Sequence, residues 1–253
     1  MRVKQVLLQG KGLCKSFPQS GGTVLDQVDV ELYVRDFTVV MGPSGAGKST
    51  LLYALSGMDR VTSGEIIYRG EPISSFSENQ MARLRSREFG FVFQQTHLVS
   101  NLTLYENVAV AGYVSKKRQP QETAKRASAL LEQMNVGNAK NRLPNQVSGG
   151  EAQRAAIARA MINDPGLLFA DEPTGALNRS NSEEVLDLLS QLNRDGQSIL
   201  MVTHDVRAAL RGNRILYLED GKILDELALP VYEADSAKER ETQLNRWLSA
   251  LQW

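Results

Sequence analysis

A glycine-rich stretch holds the residues of this chain best suited to bind phosphate. It fits the pattern G-x-x-x-x-G-K-[ST] without a gap, and its residues are Gly42, Pro43, Ser44, Gly45, Ala46, Gly47, Lys48 and Ser49, followed by Thr50. Glycines let successive N–H groups turn toward an anion, and a following helix adds its positive end. Lys48 can reach the terminal phosphates of a nucleotide, and the Ser49 hydroxyl can bind Mg²⁺. Because a strand-like segment precedes the pattern and a helical one follows it, the sequence predicts a nucleotide-binding loop.

Three more apolar segments each end in a polar residue suited to phosphate chemistry. Gln94 follows the segment 89–93, Asp171 and Glu172 follow the segment 167–170, and His204 follows the segment 198–202. Ligands of open α/β sheets bind at the carboxyl ends of the strands. Together with the strand that precedes the phosphate loop, these four strand ends predict one site.

Each of these polar residues has a role available to it. Asp171 follows apolar residues, so its carboxylate is expected at the rim of a dry core, where it can hold Mg²⁺. Glu172 can orient or deprotonate a water molecule for in-line attack on a γ-phosphate. Gln94 can position that water or complete the metal shell, and His204 can stabilise charge on the γ-phosphate. The structural alternatives are a helix cap for the acidic pair and a packing role for the histidine.

Composition narrows the class of protein. The 253 residues suffice for one large domain or for a core with a subdomain. Lys and Arg together number 29 and so do Asp and Glu, so overall charge does not favour nucleic acid, and none is expected as a partner. A single cysteine, Cys14, excludes an internal disulfide and is expected to be a buried, inert thiol. No apolar run reaches the length of about 18 residues typical of a membrane span, so a soluble, cytosolic chain is expected.

The order of strand-like and helix-like segments predicts an α/β fold. The first forty residues indicate antiparallel strands, at 6–10 and 24–34, and later segments alternate between strand and helix. Such alternation is typical of a mostly parallel sheet covered by helices. We therefore predict a nucleotide-binding core with an N-terminal antiparallel β-subdomain over 1–95 and 161–230, an inserted α-helical subdomain over 96–160, and a helical tail over 231–253.

The segment Val147-Ser148-Gly149-Gly150-Glu151 resembles the signature motif of ABC-type ATPases, usually Leu-Ser-Gly-Gly-Gln. The order of motifs also resembles that P-loop NTPase family along nearly the whole chain, from the aromatic Phe17 to His204. The stretches 89–94 and 171–175 are most similar to the branch that serves macrolide export, lipoprotein release, bacitracin-type peptide resistance and cell division. The resemblance implies an ATP hydrolase that uses Mg²⁺ and carries Phe17 as the adenine-stacking residue.

The family resemblance also implies partners. Two copies would pair head to tail around two ATP molecules, and Ser148, Gly149, Gly150 and Glu151 of each copy would complete the site of the other. A separate multi-spanning membrane subunit would be driven by this pair, with the chain bound peripherally at the cytoplasmic face of the inner membrane. The substrate and its direction are chosen by that subunit, so the sequence does not identify them.

Three residues depart from the family pattern. Phe17 replaces the more frequent tyrosine, which preserves stacking on adenine. Glu151 replaces glutamine and places a negative charge near the start of a helix and near a triphosphate. Asn178 replaces an aspartate that links the two sites of the dimer, so modest coupling or turnover is expected.

Other classes stay open at this point. An importer ATPase would share the same motifs, and ABC-type ATPases of DNA repair or translation do not transport at all. The latter usually carry long coiled coils or two cassettes, which this sequence lacks. For the last twenty residues, an amphipathic helix with Leu244, Trp247, Leu248 and Leu251 on one face is predicted. It either packs on its own core or docks on a partner.

Overall fold

The computed structural model describes residues 4–17 and 22–253. The chain divides into two compact units. Unit 1 contains the described residues up to Met81 together with Leu192–Trp253, and unit 2 contains Ala82–Gln191. Unit 2 thus includes the whole segment 96–160 and also the strands on either side of it.

Unit 1 contains an antiparallel sheet built from the N-terminal strands. Its order is β2-β1-β4-β5, formed by β1 (Val6–Ser16), β2 (Thr23–Tyr33), β4 (Ser63–Tyr68) and β5 (Glu71–Pro72). The pairing of β1 with β2 runs from Val6 opposite Tyr33 to Ser16 opposite Thr23. Apolar side chains alternate along both strands, and one face is therefore buried.

A second set of strands in unit 1 carries the phosphate loop. The strand β3 (Phe37–Met41) is fully buried and pairs in parallel with β8 (Ser198–Val202) and with β9 (Arg214–Glu219). The last strand, β10 (Lys222–Ala228), is antiparallel to β9. Three helices belong to this unit: α1 (Lys48–Leu55), α7 (Val206–Ala209) and α8 (Ala237–Ala250). The parallel pairs are the arrangement that places strand ends at a common edge.

Unit 2 combines two parallel strands with helices. The strands are β6 (Phe89–Phe93) and β7 (Leu167–Asp171), and the helices wholly inside the unit are α3 (Leu104–Ser115), α4 (Pro120–Gln133) and α5 (Gly149–Met161). Two more helices, α2 (Glu78–Glu88) and α6 (Arg179–Arg194), run across the limits of the units. The structure confirms the predicted α/β class.

The N-terminal strand and its cysteine differ from the sequence-based prediction. Apolar residues predicted a first strand over 6–10, yet β1 continues to Ser16. It does so through an irregularity at Gly12, whose φ of 55° glycine adopts without strain and whose N–H donates to Asp29 Oδ1 at 2.8 Å. Cys14 is half-buried, not buried as predicted, because it lies on the face of β1 opposite to that of its buried neighbours Leu13 and Lys15. Its Sγ accepts a hydrogen bond from the Gln27 N–H at 3.4 Å.

The C-terminal helix packs on unit 1. Leu244 and Leu248 of α8 are buried, and Arg240 is buried with its guanidinium donating to the carbonyls of Leu210, Gly212 and Pro230 at 2.5–3.0 Å. Of the two alternatives left open by the sequence, packing of this helix on its own core is therefore the one observed.

Replacing Leu244 with Ala is expected to lower the free energy of unfolding by about 2–5 kcal/mol, because a fully buried side chain leaves a cavity. Urea denaturation of the two proteins measures the difference. The neighbouring Gln243, which is exposed, provides the control: Gln243→Ala should change stability by less than about 0.5 kcal/mol. Equal stability of wild type and Leu244→Ala would contradict the packing described here.

Candidate functional site

The phosphate loop follows β3 directly and is closed by its own lysine. Lys48, the first residue of α1, is buried, and its Nζ donates to the carbonyls of Gly42 and Pro43 at 2.8 Å each. The Ala46 N–H donates to the Pro43 carbonyl at 3.2 Å, which tightens the turn. A lysine ammonium is therefore held at the loop, beside the start of a helix whose N-terminal end attracts anions.

Two glycines of the loop cannot carry a side chain. A Cβ on Gly42 would lie 1.9 Å from the Leu218 carbonyl oxygen, and a Cβ on Gly47 would lie 2.8 Å from the Val24 carbonyl oxygen. Both backbones have positive φ, 150° at Gly42 and 101° at Gly47. The loop is thus packed closely against β9 and the start of β2, and glycine is required at both positions.

His204 follows the strand next to the phosphate loop. Because β3 and β8 are parallel, with Val40 opposite Val202, the loop and the segment after β8 leave unit 1 at the same edge. The Thr203 N–H donates to the Val40 carbonyl at 3.2 Å, which fixes this segment beside β3. The His204 side chain is exposed, and Asp205 behind it caps α7 through the Arg207 N–H at 2.9 Å.

The acidic pair and Gln94 lie together in unit 2. Phe93 is opposite Asp171 in the parallel pair of β6 and β7, so Gln94 and Glu172 leave adjacent strands at the same edge. Asp171 ends the strand and is 9% exposed, at the rim of the core as predicted. The position of a Cβ on Gly175 lies 2.8 Å from Gln94 Nε2, so the amide packs on the turn that follows Glu172.

Glu172 has a left-handed backbone conformation. Its φ is 46°, and the Gly175 N–H donates to the Glu172 carbonyl at 3.0 Å, closing a turn. Non-glycine residues in this region cost of order 1 kcal/mol or more, and such outliers concentrate at functional sites. The turn re-aims the chain immediately after the buried strand and leaves the Glu172 side chain partly exposed.

Sequence reasoning missed a buried residue that connects these loops. Gln153 in α5 is 1% exposed, and its Nε2 donates to the carbonyls of Phe93 and Pro173, both at 2.8 Å. Phe93 precedes Gln94, and Pro173 follows Glu172. The only signal in the sequence was one amide within an alanine-rich helix, which by itself does not indicate its distant partners.

The signature segment begins α5 with a complete capping box. The Ser148 Oγ accepts from the Glu151 N–H at 3.2 Å, and the Glu151 Oε2 accepts from the Ser148 N–H at 2.8 Å. The hydrogen bond from the Ser148 backbone is the main cause of the lowered pKa of Glu151. Since glutamate and glutamine serve equally as the third residue of a capping box, the departure at Glu151 leaves this helix start intact.

The turn that contains Asn178 starts α6 beside the signature. Asn178 Oδ1 accepts from the Asn181 N–H at 3.0 Å and so caps the start of α6 at Arg179. A Cβ on Gly150 would lie 2.5 Å from Asn181 Oδ1, and one on Gly149 would lie 3.4 Å from Leu177. An aspartate at 178 could accept the same bond, so the departure changes charge without removing the cap.

Phe17 directly follows β1, whose end pairs with the strand that approaches the phosphate loop. It is 38% exposed, and the residue before it, Ser16, is opposite Thr23 in β2. The next residue of β2 is Val24, whose carbonyl approaches Gly47. An exposed aromatic ring in this position can stack on a base.

The predicted site residues thus form two groups, one in each unit. Unit 1 holds Phe17, the phosphate loop and His204, whereas unit 2 holds Gln94, Asp171, Glu172, Asn178 and the signature residues. Within residues 4–17 and 22–253 no three His, Cys, Asp or Glu side chains cluster as a metal cage. Each unit contains an oxygen donor of the kind that Mg²⁺ prefers: the Ser49 hydroxyl in unit 1 and the Asp171 carboxylate in unit 2.

The fold and the phosphate loop define a P-loop nucleotide-binding protein. A family profile described as ABC transporter matches residues 25–175. The chain belongs to the ABC transporter family, and its fold and motifs are those of the family's ATP-hydrolysing cassette.

Similar proteins and similar solved structures support this family assignment. Over 229 residues, 87% of this chain, it is 40% identical to the macrolide export ATP-binding/permease protein MacB of Wolinella succinogenes. The chain spans about a third of that relative, 34% of its length. The ATP-binding cassette MJ0796, solved as a dimer in a post-hydrolysis state bound to ADP and Pi, is 34% identical with a TM-score of 0.81, and 89% of this chain covers 100% of it.

A more distant structure shares the fold. It is cbiO1 from Clostridium perfringens, part of the ABC transporter complex cbiONQ, with a TM-score of 0.82 and 24% identity; the match covers 98% of this chain and 96% of that one. Among the residues that the structure describes, no helix is both long and apolar enough to cross a bilayer.

Proposed function

We propose that this ATPase cassette works as a head-to-tail pair that closes around two ATP molecules and drives a membrane-spanning permease of the export type. The observation that carries the proposal is the intact phosphate loop, with the Lys48 ammonium bound to its carbonyls, in a chain where β7 ends at Asp171 and Glu172 follows. A chain with these groups has what is needed to bind a nucleotide and to activate water.

The nucleotide is held mainly by unit 1 in this proposal. The amides of residues 42–50 and the ammonium of Lys48 bind the phosphates, and Phe17 stacks on adenine. Ser49, Asp171 and Gln94 would supply oxygen ligands to Mg²⁺, and the ion would neutralise charge on the β- and γ-phosphates. Hydroxyl, carboxylate and amide oxygens are the hard donors that this ion prefers, so the residues present fit it.

Glu172 acts as the general base. Its carboxylate orients a water molecule and takes a proton from it as the water attacks the γ-phosphate in line, giving ADP and phosphate. Gln94, packed on the turn after Glu172, helps to position the water, and His204 donates to the γ-phosphate as charge develops. The left-handed turn at Glu172 supports this role, because it separates the carboxylate from the line of the strand.

Pairing of two copies is supported by the signature segment. Ser148, Gly149 and Gly150 start α5 in unit 2, whereas the phosphate loop of the same chain belongs to unit 1. The start of α5 is a second anion-binding helix N-terminus, and in a pair it would bind the γ-phosphate of the ATP held by the other copy. The structures of MJ0796, which are dimeric and 34–35% identical to this chain, support the pairing of two copies.

The permease and the direction of transport are proposed from the similarity to MacB. MacB combines ATP-binding and permease functions in macrolide export, and 40% identity to its cassette supports an export-type or lipid- or peptide-extracting role. The cassette would then sit peripherally at the cytoplasmic face of the membrane. Resistance to antimicrobial peptides is one outcome such a complex could have.

Affinity purification from detergent-solubilised membranes of the native host tests this proposal. We expect the tagged protein to be recovered with a multi-spanning permease in stoichiometric amount, and the sequence of that permease narrows the substrate. Recovery only from the soluble fraction, with nucleic acid or ribosomes, would contradict the transport role. As a control, a Lys238→Met protein, altered at an exposed lysine of α8, should recover the same permease as the wild type.

A further inference from the structure

A buried lysine lies directly beside the exposed Phe17. Lys15 is 8% exposed, although lysine is rarely buried without a partner. Its Nζ forms an ion pair with Asp59 Oδ1 at 2.6 Å and donates to the Arg60 carbonyl at 2.6 Å. Two oxygens therefore fix the ammonium in place.

The same ammonium contacts the ring of Phe17. Lys15 Nζ lies 4.7 Å from the ring centroid, which is within the range of a cation–π interaction. A cation held against an aromatic ring draws the π-electron density toward itself. The ring then becomes a better stacking partner for an electron-rich base such as adenine, and its orientation is restricted before any base arrives.

Lys15 also connects the strand end that precedes Phe17 to the C-terminal end of the phosphate-binding helix. After α1 ends, the Asp59 N–H donates to the Tyr53 carbonyl at 3.1 Å, so the ion pair joins the end of α1 to the end of β1. Two more bonds, from the Thr62 N–H to the Cys14 carbonyl and from the Ser16 N–H to Thr62 Oγ1, hold the same strand end at 2.8 and 3.0 Å.

We propose that Lys15, held by Asp59, is a positioning residue that sets the ring of Phe17 as the platform for the nucleobase of ATP. The inference rests on the proposed function, in which Phe17 stacks on adenine. This role differs from a purely structural one. An ion pair that only joined β1 to α1 would affect the binding of phosphates with and without a base to the same extent. A base platform affects only ligands that carry a base.

Binding of two ligands to the purified protein separates these roles. The ligands are ATP with Mg²⁺ and inorganic tripolyphosphate with Mg²⁺, which lacks the base. For Lys15→Met, which keeps the aliphatic stem and removes the charge, we expect the Kd for ATP to rise about tenfold, a change of about 1.4 kcal/mol, and the Kd for tripolyphosphate to stay within about twofold. Lys11→Met, at an exposed lysine of the same strand, should change neither constant.

A double-mutant cycle of Lys15 and Phe17 measures whether the two side chains act together on ATP binding, which a general effect on folding would not produce. Phe17→Leu should raise the Kd for ATP by a similar factor. Adding Lys15→Met to it should cause no further rise, because the two residues act as one unit. Lys15→Arg, which retains a cation, should bind ATP within about twofold of wild type.

Several results would overturn the inference. Equal weakening of both ligands in Lys15→Met, independent effects of the two substitutions, or unchanged ATP binding in Lys15→Met would each assign Lys15 to structure alone. These outcomes differ from a failure of the proposed function, in which the wild-type protein itself would bind neither ATP nor tripolyphosphate.

Discussion

Replacing Glu172 with Gln is expected to lower ATP turnover by about 10²- to 10⁴-fold, the usual contribution of a general base, while ATP binding is retained. Glutamine has the size and hydrogen-bonding reach of glutamate but cannot take a proton from water. It can also adopt the left-handed conformation at this position, where φ is 46° and the Gly175 N–H closes the turn. Phosphate release under saturating ATP with Mg²⁺ measures the rate.

The same variant tests pairing of two copies. If hydrolysis reopens the pair, Glu172→Gln should elute as a dimer when ATP is present and as a monomer when it is absent. Glu241→Gln is the matched control, since Glu241 is an exposed carboxylate on α8. A residual rate above about a tenth of wild type would exclude Glu172 as the base, given the size of the effect expected of one.

Lys48→Met is expected to weaken ATP by at least about tenfold and to remove most turnover, because each hydrogen bond to a charged group contributes about 1.5–3 kcal/mol. Methionine retains most of the aliphatic stem, so the loss reports on the ammonium. The ammonium also donates to the Gly42 and Pro43 carbonyls, and its removal loosens the loop that presents the amides. Equilibrium binding of a fluorescent ATP analogue measures the affinity.

The two variants should fail in different ways. Glu172→Gln should bind ATP and not hydrolyse it, whereas Lys48→Met should do neither well. Lys238→Met removes a lysine from the exposed face of α8 and should behave as wild type. An ATP affinity of Lys48→Met within about twofold of wild type would show that the ammonium does not contact the nucleotide, since a lost charge-assisted bond costs more than that.

Much of the fold could be predicted because local patterns determine it. The strands 89–93 and 198–202 were predicted at their observed limits, since each is a short apolar run bounded by polar residues. The start of α5 at Ser148 is also determined locally, because serine followed three residues later by glutamate forms a capping box. Parallel pairing then explains why Gln94 and Glu172 leave adjacent strands at one edge.

The contacts that reach across the chain could not be predicted in this way. Lys15 bonds to Asp59, which is 44 positions away, and Gln153 bonds to the Phe93 carbonyl, which is 60 positions away. Neither residue has a local pattern that distinguishes it from a surface lysine or a solvent-facing glutamine. Likewise, the length of β1 depends on Asp29 accepting from the Gly12 N–H, a bond that only the pairing of β1 with β2 creates.

Gln153 couples the position of α5 to the positions of the loops that contain Gln94 and Glu172. Its amide has two N–H groups, and both are committed, one to the Phe93 carbonyl and one to the Pro173 carbonyl. Any displacement of α5 beyond the length of a hydrogen bond must carry both loops with it or leave two buried carbonyls unpaired, at a cost of about 1–3 kcal/mol each. A displacement of α5 at the signature segment is therefore transmitted directly to the backbone at Phe93 and at Pro173, next to Gln94 and Glu172.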